Sequence, residues 1–294
     1  VKLTITLPSS FQTKDIRTLL EEDWLIPRKV RHFLRVRKNV QVNGSAKLFH
    51  ETVTAGDEVT LSFKENDYPV PDIALGDADK AAVLFEDDHL IIVNKPHGIK
   101  THPNQPDETD TLLNHIAAYL APSGSSPYVV HRLDKETSGA VLFAKNPVVL
   151  PLLGRRLERK EIQRIYEAEV AGIITEPALT ITKKIGRHRH DRRKRVVDEQ
   201  HGKPAVTHVT VTDRSHQSTW VRCRLETGRT HQIRVHLQAI SHPVIGDPLY
   251  QQNAPANQRL MLHARELSLQ HPFTHEPITV RTALGLKDMP RRQG

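Results

Sequence analysis

From Lys80 onward the apolar residues fall into short runs of strand length, parted by turn-forming residues, and this limits the fold more than any other feature. Val83-Leu84-Phe85 and Leu90-Ile91-Ile92-Val93 flank the acidic turn Glu86-Asp87-Asp88. Further strands are expected near 165–171, 206–212, 219–226, 261–269 and 277–281. Helices are fewer. Asp110 can cap one in which Leu112, Leu113, Ile116, Ala117 and Leu120 share a face. Another starts at Asn146-Pro147, with Pro151 able to delay it and Leu152, Leu153 and Leu157 facing the core. A third lies near 231–240. Hairpins without a regular βαβ rhythm predict an α+β domain on a mixed, largely antiparallel sheet.

Between two of these apolar runs, Tyr128-Val129-Val130 and Ala140-Val141-Leu142-Phe143-Ala144, stands the polar loop His131-Arg132-Leu133-Asp134-Lys135-Glu136-Thr137-Ser138-Gly139. Rigid flanks around accessible side chains are the usual setting of a functional loop. A blander account is a capped turn in which Asp134 pairs with Arg132 or Lys135. The loop resembles the catalytic motif of the RluA-like pseudouridine synthases, whose aspartate is the nucleophile. A second dense segment, Thr227-Gly228-Arg229-Thr230-His231-Gln232-Ile233-Arg234-Val235-His236, leads a strand into a helix and continues to Ser241-His242-Pro243-Val244-Ile245-Gly246-Asp247. Arg234 lies off the apolar stripe of that helix, and a guanidinium there can hold a carboxylate charged and oriented. By the same resemblance it is the arginine that pairs with Asp134; without it, Arg234 could equally cap the sheet or bind phosphate. In Arg164-Ile165-Tyr166-Glu167-Ala168-Glu169-Val170, alternation puts Tyr166, Ala168 and Val170 on one face. That pattern alone suggests a core aromatic; the resemblance makes Tyr166 the residue that stacks on the target base. Asp134, Tyr166 and Arg234 are thus the expected catalytic set.

The resemblance covers residues 82–285. It extends to Val93-Asn94-Lys95-Pro96-His97-Gly98-Ile99 followed by Thr101-His102-Pro103, a segment expected to be structural, in which Pro96 and Gly98 shape a loop under the active site and Lys95 can touch RNA. It extends also to the basic arm Gly186-Arg187-His188-Arg189-His190-Asp191-Arg192-Arg193-Lys194-Arg195. Arg132 is expected to fill the space left by a flipped nucleotide, and Arg187 and Arg229 to contact RNA. His188 and His190 do not make a metal site, because their neighbours are cationic and no carboxylate-histidine set has ligand spacing.

Residues 1–65 form a small unit of their own in this reading, 66–78 a linker containing Pro69, Pro71 and Gly76, and 79–294 the catalytic domain. In the first unit Val1, Leu3 and Ile5 alternate as a strand, and a helix follows Pro27 with Val30, Phe33 and Leu34 as its apolar stripe. Arg28, Lys29, Arg31, Arg35 and Lys38 crowd one window that holds no acid, a pattern suited to phosphate. Val40-Gln41-Val42-Asn43-Gly44 ends in a hairpin turn, and Gly56-Asp57 turns into a last strand. The order resembles the alpha-L (S-four-like) RNA-binding domain. It departs from that pattern in starting its helix with Pro27-Arg28 and in placing Asn39 where a glycine is usual; Asn tolerates positive φ, so the turn is expected to survive.

Lys and Arg number 42 against 34 Asp and Glu, a formal charge of +8, which points to a polyanion without separating RNA from DNA or an acidic membrane. Cys223 is the single cysteine and lies on the apolar face of an alternating strand, so neither a disulfide framework nor a cysteine zinc site is available. The first ten residues lack a secretory apolar core and no run approaches a membrane span, so a cytoplasmic protein is expected. The resemblance implies a uridine-to-pseudouridine isomerase that needs no cofactor, with ribosomal RNA as partner ahead of transfer RNA; a monomer is the default expectation. Two rivals stand beside it. One is a non-catalytic RNA-binding ribosome-assembly factor; the other is a hydrolase built from Ser138, His131 or His231, and Asp134.

Overall fold

The computed structural model describes residues 2–64, 67, 71–105, 107–255 and 257–289. Pro69 and residues 290–294, parts of the expected linker and catalytic domain, lie outside them. In the N-terminal unit, strands β1 (Lys2–Thr6), β2 (Val40–Val42), β3 (Ser45–Ala46) and β4 (Glu58–Ser62) form a sheet of order β1-β4-β2-β3. Asn43 and Gly44 take φ of 50° and 79°, the left-handed pair that a tight hairpin between β2 and β3 requires. Helix α1 (Arg28–Val36) begins where expected after Pro27. Its stripe is narrower than the spacing suggests: Leu34 is buried, but Phe33 is 36% exposed, with Lys29 and Arg37 over its ring at 5.9 and 4.8 Å. The left-handed residue after the helix is Lys38 (φ 53°), not Asn39, whose side chain instead donates to Ser62 O at 3.0 Å.

The larger sheet has ten strands and is mixed, as expected. Its main path uses β5 (Val83–Glu86), β6 (Leu90–Lys95), β7 (Ser138–Ala144), β8 (Gln163–Ala171), β9 (Ala178–Thr182), β12 (Val206–Arg214), β13 (Ser218–Leu225) and β14 (Leu262–Gln270). They run in the order β9-β12-β13-β8-β14-β7-β6-β5, with β15 (Pro277–Arg281) on β14 and Tyr128–Val129 on β7. The pairing of β7 with β14 is parallel and the rest is antiparallel. Strand β9 carried no strong sequence signal, and the basic arm is a small hairpin of β10 (Ile185–Arg187) and β11 (Arg195–Val197).

Three helices complete this unit: α2 (Leu112–Leu120), α3 (Val149–Glu158) and α4 (Gln232–Ala239). Thr111, not Asp110, caps α2 in a reciprocal pair with Asn114, while Asp110 binds Lys80 at 3.0 Å. Pro151 does not delay α3, because it falls within the first turn, where no helical N–H is needed; Asn146 Oδ1 accepts from Val148 and Val149 N–H there.

Every residue of β7 is buried, since both faces of the central sheet are covered. Leu142 and Ala140 point to a core shared with α3 and with the N-terminal unit, while Val141 and Phe143 point to a core that holds α2 and α4. Trp24 stands edge-on to Phe273 at 5.2 Å, and Arg155 and Arg156 of α3 donate to Leu25 O and Asp23 O. The apolar side chains of the N-terminal unit and of this sheet face thus make one cluster. Among the described residues no helix is long and apolar enough to cross a membrane.

Candidate active site

A cavity of about 480 Å³ opens where the loop before β7, strand β8 and the N-terminus of α4 converge. Asp134, Tyr166 and Arg234 all line it, although 100 residues separate the first from the last.

The loop carrying Asp134 is held from below. Thr101 donates its hydroxyl to Leu133 O at 2.9 Å and accepts Leu133 N–H at 3.1 Å. Gly139, at φ 117°, closes the loop where β7 meets β14; a Cβ there would lie 2.2 Å from Ala264 O, so no larger residue fits. Lys95 is closed off from solvent, which leaves no surface for the expected RNA contact. It is fully buried, and its ammonium donates to Pro96 O, Ile99 O and Lys135 O at 2.9, 2.7 and 3.0 Å, tying the Pro96–Gly98 loop to the Asp134 loop. Burial pushes its pKa down to about 7.

Arg234 is 3% exposed and works with both edges of its fork. Nε and Nη2 donate to the two oxygens of Asp247 at 2.7 and 2.8 Å, and Nη1 donates to Asp134 Oδ2 at 3.1 Å. Asp247 is wholly buried and also accepts the Leu249 and Tyr250 N–H groups. Burial opposes the Arg234 charge, but the Asp247 hydrogen bonds, with Asp134 adding to them, raise its pKa above the ordinary arginine value. The ring of Tyr250 lies against the guanidinium, 5.1 Å away. Sequence reasoning noted the Gly246-Asp247 segment but gave Asp247 no task and missed Tyr250.

His231 precedes α4 in a left-handed conformation (φ 58°), which turns its ring into the cavity. Its Nδ1 shares a 2.8 Å hydrogen bond with the Tyr250 hydroxyl, and Nε2 lies 3.7 Å from Asp134. Tyr250 in turn accepts Arg195 N–H at 2.8 Å, joining the basic hairpin to the cavity. Burial, opposed by Asp134, leaves the His231 pKa below the ordinary value.

Tyr166, Ala168 and Val170 share the buried face, as alternation predicts. The register of β8 on β14 slips between Ile165 and Tyr166, where Arg265 of β14 is the extra residue, and Tyr166 lines the cavity just beyond the slip. Tyr166 is 5% exposed, and burial pushes its phenol pKa up.

The expected RNA contacts divide. Arg132 and Arg229 are exposed at the cavity. Arg187 is exposed on the hairpin, and Arg28, Lys29, Arg35 and Lys38 on or beside α1; none of these lines the cavity. Arg31 is turned inward onto Glu21 at 2.7 Å and is the exception in that window. The hydrolase arrangement is not assembled. Ser138 is 4% exposed and bonds His263 at 2.7 Å, and His131 Nε2 accepts Leu142 N–H. Among the described residues no group of three or more His, Cys, Asp or Glu is placed to hold a metal ion. Cys223 is fully buried, and burial pushes its thiol up to about 12.

Comparison with known proteins gives the same answer for both units. Residues 89–239 match the RNA pseudouridylate synthase family, and residues 3–59 match the N-terminal domain of the RluD ribosomal pseudouridine synthases. An uncharacterized RNA pseudouridine synthase of Bacillus subtilis (strain 168), YhcT, is 40% identical over 246 residues, 82% of this chain and 80% of that one. The ribosomal large subunit pseudouridine synthase D of Nitrosomonas europaea is 38% identical over 252 residues, 81% of this chain and 71% of that one. A solved structure, human RNA pseudouridylate synthase domain containing 1, superposes with a TM-score of 0.59 at 28% identity, over 71% of this chain and 86% of that one. Mixed sheet, converging loops and sequence together define an RNA-modifying isomerase. The chain belongs to the RNA pseudouridylate synthase family.

Proposed function

We propose that the protein converts specific uridines of ribosomal RNA to pseudouridine, with Asp134 as nucleophile, Arg234 as its ion-pair partner and Tyr166 as the platform for the base. One observation carries the assignment: Asp134 lies in an open cavity, bonded by an arginine whose other edge is clamped by the buried Asp247. That clamp aims the carboxylate before substrate arrives. The reaction breaks the C1′–N1 bond, turns the uracil and forms a C1′–C5 bond; nothing is oxidised or hydrolysed. Attack on the sugar, attack on the ring and elimination to a glycal all begin from the same carboxylate.

The target must first leave its stack, at about a few kcal/mol, which stacking on Tyr166 and backbone contacts offset. Arg132 at the cavity would occupy the vacated space, with Arg229 and Arg187 on nearby phosphates. Arg28, Lys29, Arg35 and Lys38, all exposed, suit the RNA backbone, while Arg31 is already engaged by Glu21. The division into 1–65, 66–78 and 79–294 follows the two matched regions, and the ribosomal target follows the names of the relatives. A monomer and a cytoplasmic location complete the reading.

The test is Asp134→Asn with RNA tritiated at uridine C5. Tritium release should fall by about a thousandfold or more. A variant that releases tritium at the wild-type rate would remove the nucleophile assignment.

A further inference from the structure

Arg164 differs from Arg234 in one respect that matters: it lines the same cavity, and among the described residues no hydrogen bond or ion pair answers it. The residue is 7% exposed, its Nε lacks a hydrogen-bond partner, and among the described residues no hydrogen bond or ion pair engages its guanidinium. Glu226, an acid of the same cavity, is already taken by Lys160 at 2.5 Å and His208 at 2.6 Å. Nε is buried without a partner, which is unfavourable, while the outer nitrogens open onto the cavity, where a ligand that brings negative charge can meet them.

Its placement narrows that ligand. Arg164 and Tyr166 sit two residues apart on one face of β8, and both line the cavity with Asp134. A base stacked on Tyr166 therefore carries its edge toward Arg164. The guanidinium also lies against Gly228, where a Cβ would be 3.0 Å from Nη1. Gly228 does not have a positive φ, so its missing side chain matters here for clearance.

Resting on the uridine site just proposed, we propose that Arg164 contacts an oxygen of the uracil ring and stabilises the negative charge that develops there. When the C1′–N1 bond breaks, its electron pair leaves with uracil and spreads over O2 and O4. The charge is discharged when C5 gives a pair to C1′; the C5 proton departs and N1 takes one up, so the isomerisation balances. A fixed donor acts most strongly where charge appears only during reaction.

The experiment is single-turnover tritium release from C5-tritiated ribosomal RNA, with binding of the same RNA measured across a salt series. Arg164→Gln should lower the saturated rate by about 100-fold or more, as loss of one such donor does, with dissociation constant and salt slope unchanged. Arg164→Lys should recover part of that rate. Gly228→Ala, which crowds the guanidinium, should slow the same step several-fold at constant affinity. A wild-type rate in Arg164→Gln overturns the proposal. So does a retained rate with weaker binding and a salt slope reduced by about one, which would assign Arg164 to a phosphate. If circular dichroism shows Arg164→Gln unfolded, the other two variants decide, and wild-type rates in both overturn the proposal. Tritium release by the wild type that Asp134→Asn abolishes, alongside a normal Arg164→Gln, would sink the Arg164 role alone. No release by the wild type from any RNA offered would fail the uridine site and this role together.

Discussion

Helix α1 and the inner wall of the cavity both carry arginine, but water reaches the first and scarcely Arg234 in the second. On α1, Arg28, Lys29 and Arg35 extend into solvent, and the ion pair of that helix, Arg31 with Glu21, is half open on its acidic side, at 50% exposure. Arg234 at the cavity and Asp247 behind it are 3% and 0% exposed and share two hydrogen bonds. Exposed charges are mobile and screened by salt, so they suit a partner held by many weak phosphate contacts. Buried charges are few and fixed, so they suit chemistry that needs a carboxylate at one place. The same residue type is exposed and mobile in one region and buried and fixed in the other.

Asp247→Ala tests the contrast most severely. It strands the Arg234 charge in the interior, and breaking such a pair should cost about 3–5 kcal/mol in a denaturant titration. Glu21→Ala, by comparison, should change stability by at most about 1 kcal/mol. Equal effects would mean that burial does not separate the two pairs.

Acid should act next, and through the sheet. His131 and His263 are buried neutral, with pKa values pushed down to about 3 by burial from an ordinary 6.5. Between those values the unfolded chain binds more protons than the folded one, so stability rises with pH across the window and is lost as pH falls through it. His131→Asn, which can still accept the Leu142 N–H, should flatten the fall in denaturation midpoint between about pH 6.5 and 4. An unchanged slope would place the acid sensitivity elsewhere.

The smallest effect on chemistry belongs to the helix. Replacing Arg28, Lys29 and Arg35 together with Ala should weaken RNA binding and lower the salt slope by about one per residue, with the saturated tritium-release rate unchanged. A fall in that rate at saturating enzyme would show that α1 does more than hold RNA.

Much of this site is legible in the chain. The loop around Asp134, the segment around Arg234 and the alternation at Tyr166 are local patterns, and each landed on the expected kind of element. Asp247, Tyr250 and Arg164 were not assigned roles, because their tasks are defined by neighbours rather than by spacing. Asp247 takes its meaning from a guanidinium that reaches it across a loop, and Tyr250 from joining Arg195 to His231. Lys95 was misplaced for the same reason. A lysine beside Pro96 and Gly98 looks solvent-facing until three carbonyls from two loops close around its ammonium.

Alternation and turn residues by themselves determined most of the strands and the α+β class, because these follow from dihedral preferences and from burying every second side chain, whereas the segments around Asp134 and Arg234 stood out through their resemblance to a known family. Tertiary structure decided which charges are answered and which are left for a substrate. It joined the core of the N-terminal unit to one face of the large sheet, spent the second edge of Arg234 on Asp247 and left Arg164 unpaired. Electrostatic pairing depends on distance and burial in three dimensions, and neither is written in the order of residues.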